Sequence, residues 1–234
     1  MARYTVCACR SRDFMEREKV EKAASSLISE GHEVRIVGDL CGLCRDADSS
    51  LGDIASSTII ACHERAVRTL LRHAGHEAAE VVDLRSEGCP LPAVDDIPGA
   101  IRDEVKANVE SFPRTEGTDP WFPVIDHSEC IGCRKCFDFC LFGVYTIEDG
   151  KVSVTSPDNC KNGCPACART CPKGAIIFPK HPFAPINGGT MKEGNSDNPL
   201  FSIDPDAMYR EAIRERLEHR RKAGMALRNP SKGQ

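Results

Sequence analysis

The first third of the chain alternates short runs of β-branched and apolar residues with stretches whose apolar positions recur every three or four residues. The runs predict strands, and the recurring positions at residues 20–28 and 66–71 predict amphipathic helices. Strands that alternate with helices form a parallel sheet with right-handed crossovers. Residues 1–88 are therefore expected to form a small α/β domain, with strands at residues 4–8, 33–37, 58–61 and 81–84.

Prolines interrupt this pattern after residue 88, and a second group of prolines lies between residues 113 and 123. Between the two groups, Ile101, Val105 and Val109 recur at four-residue spacing and predict a short helix. We interpret residues 89–120 as a linker that contains this helix. A second domain is therefore expected to begin near residue 121.

The rest of the chain divides into an α+β segment and a tail. Asp149-Gly150 separates two short apolar segments and is a hairpin signal, so residues 121–180 are expected to form a small α+β domain. Residues 181–199 predict an extended arm rich in Gly, Asn and Pro, and residues 204–228 predict a charged helix. Because an arm cannot bury its own apolar side, two alternatives stay open for residues 181–234: a solvated helical tail or a segment that docks on a partner.

Composition narrows the classes of function. Charged residues make up 28% and hydrophobic residues 41% of the 234 residues, the net charge is −4, and the pI is near 6.0. This charge balance gives no support for nucleic-acid binding. No run of about 18 apolar residues predicts a membrane-spanning helix, and the amino terminus lacks the apolar core of a secretory signal. We therefore expect a cytoplasmic protein without an integral membrane segment.

The chain contains 14 cysteines, and in a compartment that keeps thiols reduced they predict metal ligands rather than disulfides. Eight of them form two motifs whose last three cysteines are offset by 31 residues (133 to 164, 136 to 167, 140 to 171), which indicates a duplicated unit. Thiolates at this spacing are typical of iron–sulfur clusters, with four for each [4Fe–4S] cube, and zinc or paired disulfides are the alternatives. The motifs are Cys130-x2-Cys133-x2-Cys136-x3-Cys140 and Cys160-x3-Cys164-x2-Cys167-x3-Cys171-Pro172.

Over residues 124–180 these motifs resemble the bacterial ferredoxins that carry two clusters. The resemblance implies a ferredoxin-like domain in which each motif gives three ligands to one cluster and its fourth to the other, the fourth cysteine beginning a helix. Two features depart from the family: Leu141 replaces the usual proline, and Asn162 or Gly163 lengthens the second loop. The implied ligands are Cys130, Cys133, Cys136 and Cys171 for one [4Fe–4S] cluster, and Cys160, Cys164, Cys167 and Cys140 for the other.

Five more cysteines lie at the ends of the predicted strands. Cys7 and Cys9 end the first strand, Cys41 and Cys44 follow the second, and Cys62 follows the third. The carboxyl ends of parallel strands meet at one edge of a sheet, so these thiols are expected to lie together. We predict a third [4Fe–4S] cluster held by Cys9, Cys41, Cys44 and Cys62. Cys7 is the alternative ligand because residues 7 and 9 of an extended strand face the same way.

Three alternatives to this third cluster stay open: a redox dithiol, a zinc site, or small buried thiols without a ligand. Residues 3–75 resemble the amino-terminal segment of the heterodisulfide reductase A subunit, which has a Cys-x-Cys strand end, a second cysteine region and an Ala-Cys turn like Ala61-Cys62. The flavin-binding domain of that subunit is missing here, so the resemblance implies no flavin chemistry.

The cysteine pattern also indicates a class of function. No acid–base pair or nucleophile constellation accompanies them, so no catalytic residue is assigned. The leading hypothesis is an electron-transfer protein, the ferredoxin-type subunit of a larger anaerobic oxidoreductase, whose partner is a redox protein or the catalytic subunit. The alternatives are a reductase that acts on a small substrate or disulfide at the amino-terminal cysteines, and a redox or iron–sulfur sensor. Cys89 is predicted to be idle, and His63 to be a surface residue.

Overall fold

A computed structural model describes residues 1–10, 15–85, 97–113 and 120–190 of the chain. Its first half contains a four-stranded sheet in the order β2-β1-β3-β4, in which every pairing is parallel. The predicted parallel sheet is therefore confirmed, and each strand lies within one residue of its predicted position. The strands are β1 (Arg3–Cys7), β2 (Glu33–Val37), β3 (Thr58–Ala61) and β4 (Glu80–Asp83).

Helices connect these strands. The two predicted amphipathic helices are α1 (Arg17–Ser29) and α4 (Glu64–His73), and both bury their apolar side against the sheet. The sequence patterns missed α2 (Leu40–Arg45) and α3 (Leu51–Ala55), because five or six residues are too few for helical periodicity to emerge. The predicted linker helix is α5 (Gly99–Ser111), and its buried Val105 and Val109 belong to the core of the sheet domain.

The second half repeats one small unit twice. The helices α6 (Lys135–Phe139) and α7 (Ala166–Thr170) are offset by 31 residues (135 to 166) and pack together. The strands β5 (Val124–Ile125) and β8 (Ile176–Ile177) pair antiparallel, as do β6 (Tyr145–Glu148) and β7 (Lys151–Val154). The predicted hairpin turn is present, with φ values of +49° at Asp149 and +79° at Gly150, the conformation of a two-residue primed turn.

Two apolar cores meet between the halves of the molecule. The first core fills the parallel sheet and its helices and also takes in Phe122, Val124 and Ile177 from the second half. The second core surrounds the hairpin and contains Trp121, whose ring stacks on Phe178 at 5.1 Å. Neighbouring residues Trp121 and Phe122 thus enter different cores, which fixes the chain at the seam between the two cysteine regions.

The segment after β8 also packs against the amino-terminal half. Ile186 and Asn187 are buried, and a Cβ atom at Gly189 would lie 2.7 Å from Nε2 of His63, so this close approach requires glycine. The rest of the predicted tail, residues 191–234, lies outside the described residues, as does Cys89. Within the described part of the chain, no helix combines the length and the apolar character needed to cross a membrane.

A charged contact joins the two halves. Nε of Arg65 on α4 donates to Oδ2 of Asp126 at 2.7 Å, and its NH2 group donates to the carbonyl oxygen of Gly174 at 3.0 Å. Asp126 follows β5, and its side chain is only 7% exposed. Ser128 and Arg65 both stabilise this carboxylate. Burial raises its pKa, but their hydrogen bonds and the guanidinium charge outweigh burial and hold the pKa below its usual value.

We expect Arg65→Ala to lower the melting temperature by about 4–8 °C, because it leaves the Asp126 carboxylate without its cation at a cost of about 2 kcal/mol. The control is Arg72→Ala on the same helix, whose exposed pair with Glu77 contributes less than about 0.5 kcal/mol. Calorimetry of the anaerobic protein measures both. Equal melting temperatures for the two variants would show that the contact between the halves adds nothing to stability.

Candidate functional site

The first group of ferredoxin-motif cysteines is drawn from both repeats. Burial, together with the charges of Cys171 and Cys130, raises the pKa of Cys136 to about 11. The structure therefore brings Cys171 of the second motif beside Cys130 and Cys136 of the first. Cys133 is exposed and lies on the loop between Cys130 and Cys136. These are the four residues predicted for the first cluster.

The second group has the reciprocal composition. Burial raises the pKa of Cys160 to about 12, with further contributions from Cys164 and Cys140. Burial also raises the pKa of Cys167 to about 12, and Cys160, Cys140 and Cys164 add to that shift. Cys140 of the first motif therefore lies among the cysteines of the second. The phenol of Tyr145 is buried beside Cys167, and this burial raises the pKa of the phenol well above its usual value.

Local backbone geometry explains how the thiols converge. Gly132 and Gly163 precede equivalent cysteines and have φ values of +68° and +76°, which a residue with a Cβ atom rarely adopts. Because these glycines are equivalent, the extra residue of the second loop lies between Cys160 and Gly163, which favours Asn162 over Gly163 as the insertion. The backbone N–H of Ala175 donates to Sγ of Cys171 at 3.3 Å.

One expectation about these motifs is wrong. The fourth cysteines were expected to begin helices, but Cys140 and Cys171 are the carboxyl-terminal caps of α6 and α7. The helix in each motif instead holds the third cysteine, and the fourth leaves it in an extended conformation, with ψ values of 111° and 113°. In each motif a five-residue helix that contains the third cysteine ends at the fourth and carries it toward the other group.

The amino-terminal cysteines lie at the carboxyl edge of the parallel sheet, as expected from the strand order. Cys7 is the last residue of β1, Cys62 follows β3, and Cys41 and Cys44 lie one turn apart on α2. Four of the five are buried, and Cys62 is half-buried. Asp39 caps α2, because its Oδ1 accepts from the backbone N–H of Cys41 at 3.0 Å.

Four of these five thiols influence one another's pKa values, namely Cys7, Cys9, Cys41 and Cys62, whereas Cys44 responds to burial and to Asp39. Burial raises the pKa of Cys62 to about 12, and Cys9 raises it further. Burial also raises the pKa of Cys41, where Cys62 and Cys9 contribute. For Cys44, burial and then the charge of Asp39 raise the pKa to about 12.

The geometric reason for grouping Cys7 with Cys9 is wrong. Both were expected to face one way along an extended strand, but β1 ends at Cys7 and Cys9 has a left-handed φ of +49°. The two thiols still lie close together, since burial and then the charge of Cys9 raise the pKa of Cys7. Sγ of Cys7 accepts from the backbone N–H of Leu40 at 3.5 Å.

Sequence reasoning missed a buried lysine in this group. Lys180 follows β8, its side chain is 2% exposed, and its Nζ lies 3.4 Å from Sγ of Cys9 and 2.9 Å from Oδ2 of Asp39. Burial alone would lower the pKa of Lys180, but the charges of Cys41, Cys9 and Asp39 raise it well above its usual value. No local signal could have found this residue, since it lies 171 positions from Cys9 in the chain.

His63 is also placed differently from the prediction. Its side chain is only 17% exposed rather than a free surface group, and its Nδ1 lies 3.1 Å from Oδ2 of Asp83. The aspartate ends β4, the strand beside β3, so the pairing is a product of the strand order. His63 is thereby held next to Cys62 at the start of α4.

The donor set is chemically suited to iron–sulfur clusters. All thirteen cysteines within the described ranges are free thiols. A cubane binds each thiolate through a different iron, so it requires sulfurs that surround a larger volume than a single ion does. Among those same residues, no three His, Cys, Asp or Glu side chains converge on one ion position.

Similarity to known proteins agrees with this chemistry. An uncharacterized ferredoxin of Methanocaldococcus jannaschii is 48% identical over 71 residues, 30% of this chain and 48% of that protein, so the chain spans about half of its length. Ferredoxin-3 of Nostoc sp. is 35% identical over 81 residues, 25% of this chain and 82% of that protein.

A third relative is a named subunit of an enzyme. The pyruvate synthase subunit PorD of Thermotoga maritima is 33% identical over 87 residues, 37% of this chain and 78% of that protein. No protein-family model matches the chain. Because the chain covers more than two thirds of Ferredoxin-3 and of PorD at over 30% identity, it belongs to the ferredoxin family of iron–sulfur proteins.

Proposed function

We propose that the chain transfers electrons through three [4Fe–4S] clusters as the ferredoxin-type subunit of a larger oxidoreductase. The observation that carries this proposal is the exchange of Cys140 and Cys171 between the two motifs, because two clusters with four ligands each require such an exchange. We assign Cys130, Cys133, Cys136 and Cys171 to cluster 1, and Cys160, Cys164, Cys167 and Cys140 to cluster 2.

The third cluster belongs to the amino-terminal cysteines. Our ligand set is Cys9, Cys41, Cys44 and Cys62, and Cys7 is the alternative to Cys9. Proximity at the sheet edge supports the assignment, since Cys9 and Cys62 lie close enough to Cys41 to raise its pKa, and a cluster takes its thiolates from one such group. A cysteine-rich chain whose described thiols are all free is also suited to the cytoplasm, the compartment that we propose for it.

Cluster 2 is the proposed neighbour of the amino-terminal cluster. The side chain of Cys160 packs against both apolar cores, the first of which contains the residues of the sheet. Nε1 of Trp121 donates to the carbonyl oxygen of Cys164 at 3.3 Å. These contacts support an electron path that joins the sheet edge to cluster 1 through cluster 2, in either direction.

Exposed apolar side chains are concentrated in the first ferredoxin motif. Seven large apolar residues are exposed within the described ranges, and five of them lie in residues 131–142, the stretch of chain that also holds the exposed ligand Cys133. An exposed apolar patch beside a redox centre is typical of a site where a protein partner docks. We define the apolar patch as Ile131, Phe137, Phe139, Leu141 and Phe142.

The proposed occupant of the apolar patch is a larger subunit that carries the catalytic site. The name of the relative PorD, a subunit of pyruvate synthase, supports an assembly of this kind. The patch includes Leu141, which is 87% exposed at the position where the family usually has proline. An exposed leucine in place of that proline contributes apolar area to an interface.

We expect Leu141→Glu to weaken binding of the larger subunit by about tenfold to a hundredfold, because burying that leucine contributes about 1.5–3 kcal/mol. The control is Phe183→Glu, which introduces the same charge at a 57% exposed apolar residue outside the patch. Copurification identifies the subunit, and calorimetric titration gives both dissociation constants. The docking proposal is wrong if the two variants bind equally well, or if the chain purifies alone and transfers electrons to small acceptors only.

A reductase at the amino-terminal site is the second candidate. It is favoured by one observation, that five cysteines lie at one edge of the sheet where a cluster needs four, which leaves one thiol for chemistry. Turnover of a disulfide substrate by the isolated, reduced chain would favour it. Electron transfer without any such turnover supports the subunit.

A further inference from the structure

Lys180 contributes a buried positive charge to the amino-terminal cysteines from the opposite half of the molecule. Its side chain is 2% exposed, whereas the Asp39 side chain that pairs with it is 20% exposed. A buried ammonium is costly unless it is paired and hydrogen-bonded. Here it has two partners, the Asp39 carboxylate at 2.9 Å and the Cys9 sulfur at 3.4 Å.

Lys180 belongs to a segment that also contacts the second cysteine motif. It lies three residues after β8, and Phe178 before it stacks on Trp121, which in turn donates to the carbonyl oxygen of Cys164. The lysine is therefore positioned by the same segment that contacts the cluster 2 loop. Folding of the ferredoxin half and placement of the charge at Cys9 depend on one continuous stretch of backbone.

We propose that Lys180 is a positioning residue of the amino-terminal cluster, which holds Cys9 by a hydrogen bond and sets the reduction potential through its positive charge. This role rests on the third cluster proposed above. One electron passes from the neighbouring cluster, which is oxidised, to the amino-terminal cluster, which is reduced, and no bond forms or breaks. The ammonium and its hydrogen bond stabilise the added negative charge, so they make reduction easier.

The negative charge of Asp39 opposes the effect of Lys180 on the reduction potential. Its carboxylate lies against the ammonium and offsets part of the positive charge, while its Oδ1 also caps α2 at Cys41. Asparagine caps helices as well as aspartate does, so Asp39→Asn removes the charge and preserves the cap. The chain thus offers two variants with opposite expected effects on a single cluster.

The test is a redox titration of the full chain monitored by electron paramagnetic resonance, in which the amino-terminal signal is the one that Cys41→Ser removes. We expect Lys180→Met to lower the equilibrium constant for reducing this cluster by about tenfold, a shift of about 59 mV to more negative potential. Asp39→Asn is expected to shift the same signal to more positive potential. The two ferredoxin signals remain unchanged, as do all three signals in the control Lys151→Met, which removes an exposed lysine of β7.

Each other result contradicts a specific part of the proposal. If the wild-type chain holds only two clusters, the third cluster is wrong and the role of Lys180 with it. If it holds three and Lys180→Met leaves the amino-terminal potential unchanged, only the role of Lys180 is wrong. If the Lys180→Met variant fails to assemble the third cluster, the Asp39→Asn variant provides the test. An unchanged potential of the amino-terminal cluster in that variant would show that the charges of Asp39 and Lys180 do not set the potential.

Discussion

Cys41→Ser is expected to lower the iron content of the anaerobically purified chain from about twelve atoms to about eight, with clusters 1 and 2 retained. The reason is geometric. Cys41 lies buried in the first turn of α2, where the charges of Cys62 and Cys9 raise its pKa, so its thiol belongs to the group that would hold the cluster. Cys62→Ser is expected to give the same loss.

Three further variants complete this experiment. Cys89→Ser is the matched control, since the same substitution at the cysteine predicted to be idle is expected to leave the iron content unchanged. Cys7→Ser and Cys9→Ser then separate the alternative ligands, because only the true ligand lowers the iron content. The ligand assignment is wrong if Cys41→Ser and Cys62→Ser both retain the iron content of the wild type.

Removal of iron is expected to unfold the ferredoxin half and to spare the parallel sheet. Six of the eight motif cysteines contribute to the second core, where Cys136 and Cys167 are buried and four others pack against it. The hairpin therefore packs on the proposed cluster ligands in place of a large apolar core, and we expect ligation free energy to become folding free energy. The first core is much larger and consists mainly of aliphatic residues from the sheet and its helices.

Hydrogen exchange after anaerobic chelation measures this difference. Amides of β6 and β7 are expected to exchange about a hundredfold faster or more in the iron-free chain, whereas amides of β1 and β3 stay protected and serve as the internal control. Equal protection of the hairpin with and without iron would mean that apolar packing alone holds the second half together.

Local patterns in the sequence were sufficient for much of the fold. The strands of the parallel sheet and the Asp149-Gly150 hairpin were predicted because their signals lie within a few neighbouring residues. The duplicated cysteine motif likewise carries its own spacing. The helix α2 escaped prediction because it is one and a half turns long and has no repeating apolar side.

The contacts that assemble the site could not be predicted in the same way. Arg65 meets Asp126 across 61 positions, and Lys180 meets Asp39 across 141, so no local pattern records either pair. The left-handed backbone at Cys9 also contradicts the simplest extension of a strand. These features depend on how the two halves pack, which the strand and helix patterns leave open.

The central claim is that this ferredoxin carries a third cluster on its parallel sheet. It is tested most directly by iron and sulfide analysis of the anaerobically purified wild-type chain, combined with spin quantification by electron paramagnetic resonance after full reduction. The account predicts about twelve iron and about twelve sulfide atoms per chain and three reducible centres. About eight of each, with two reducible centres, would contradict it and leave the amino-terminal cysteines without a cluster.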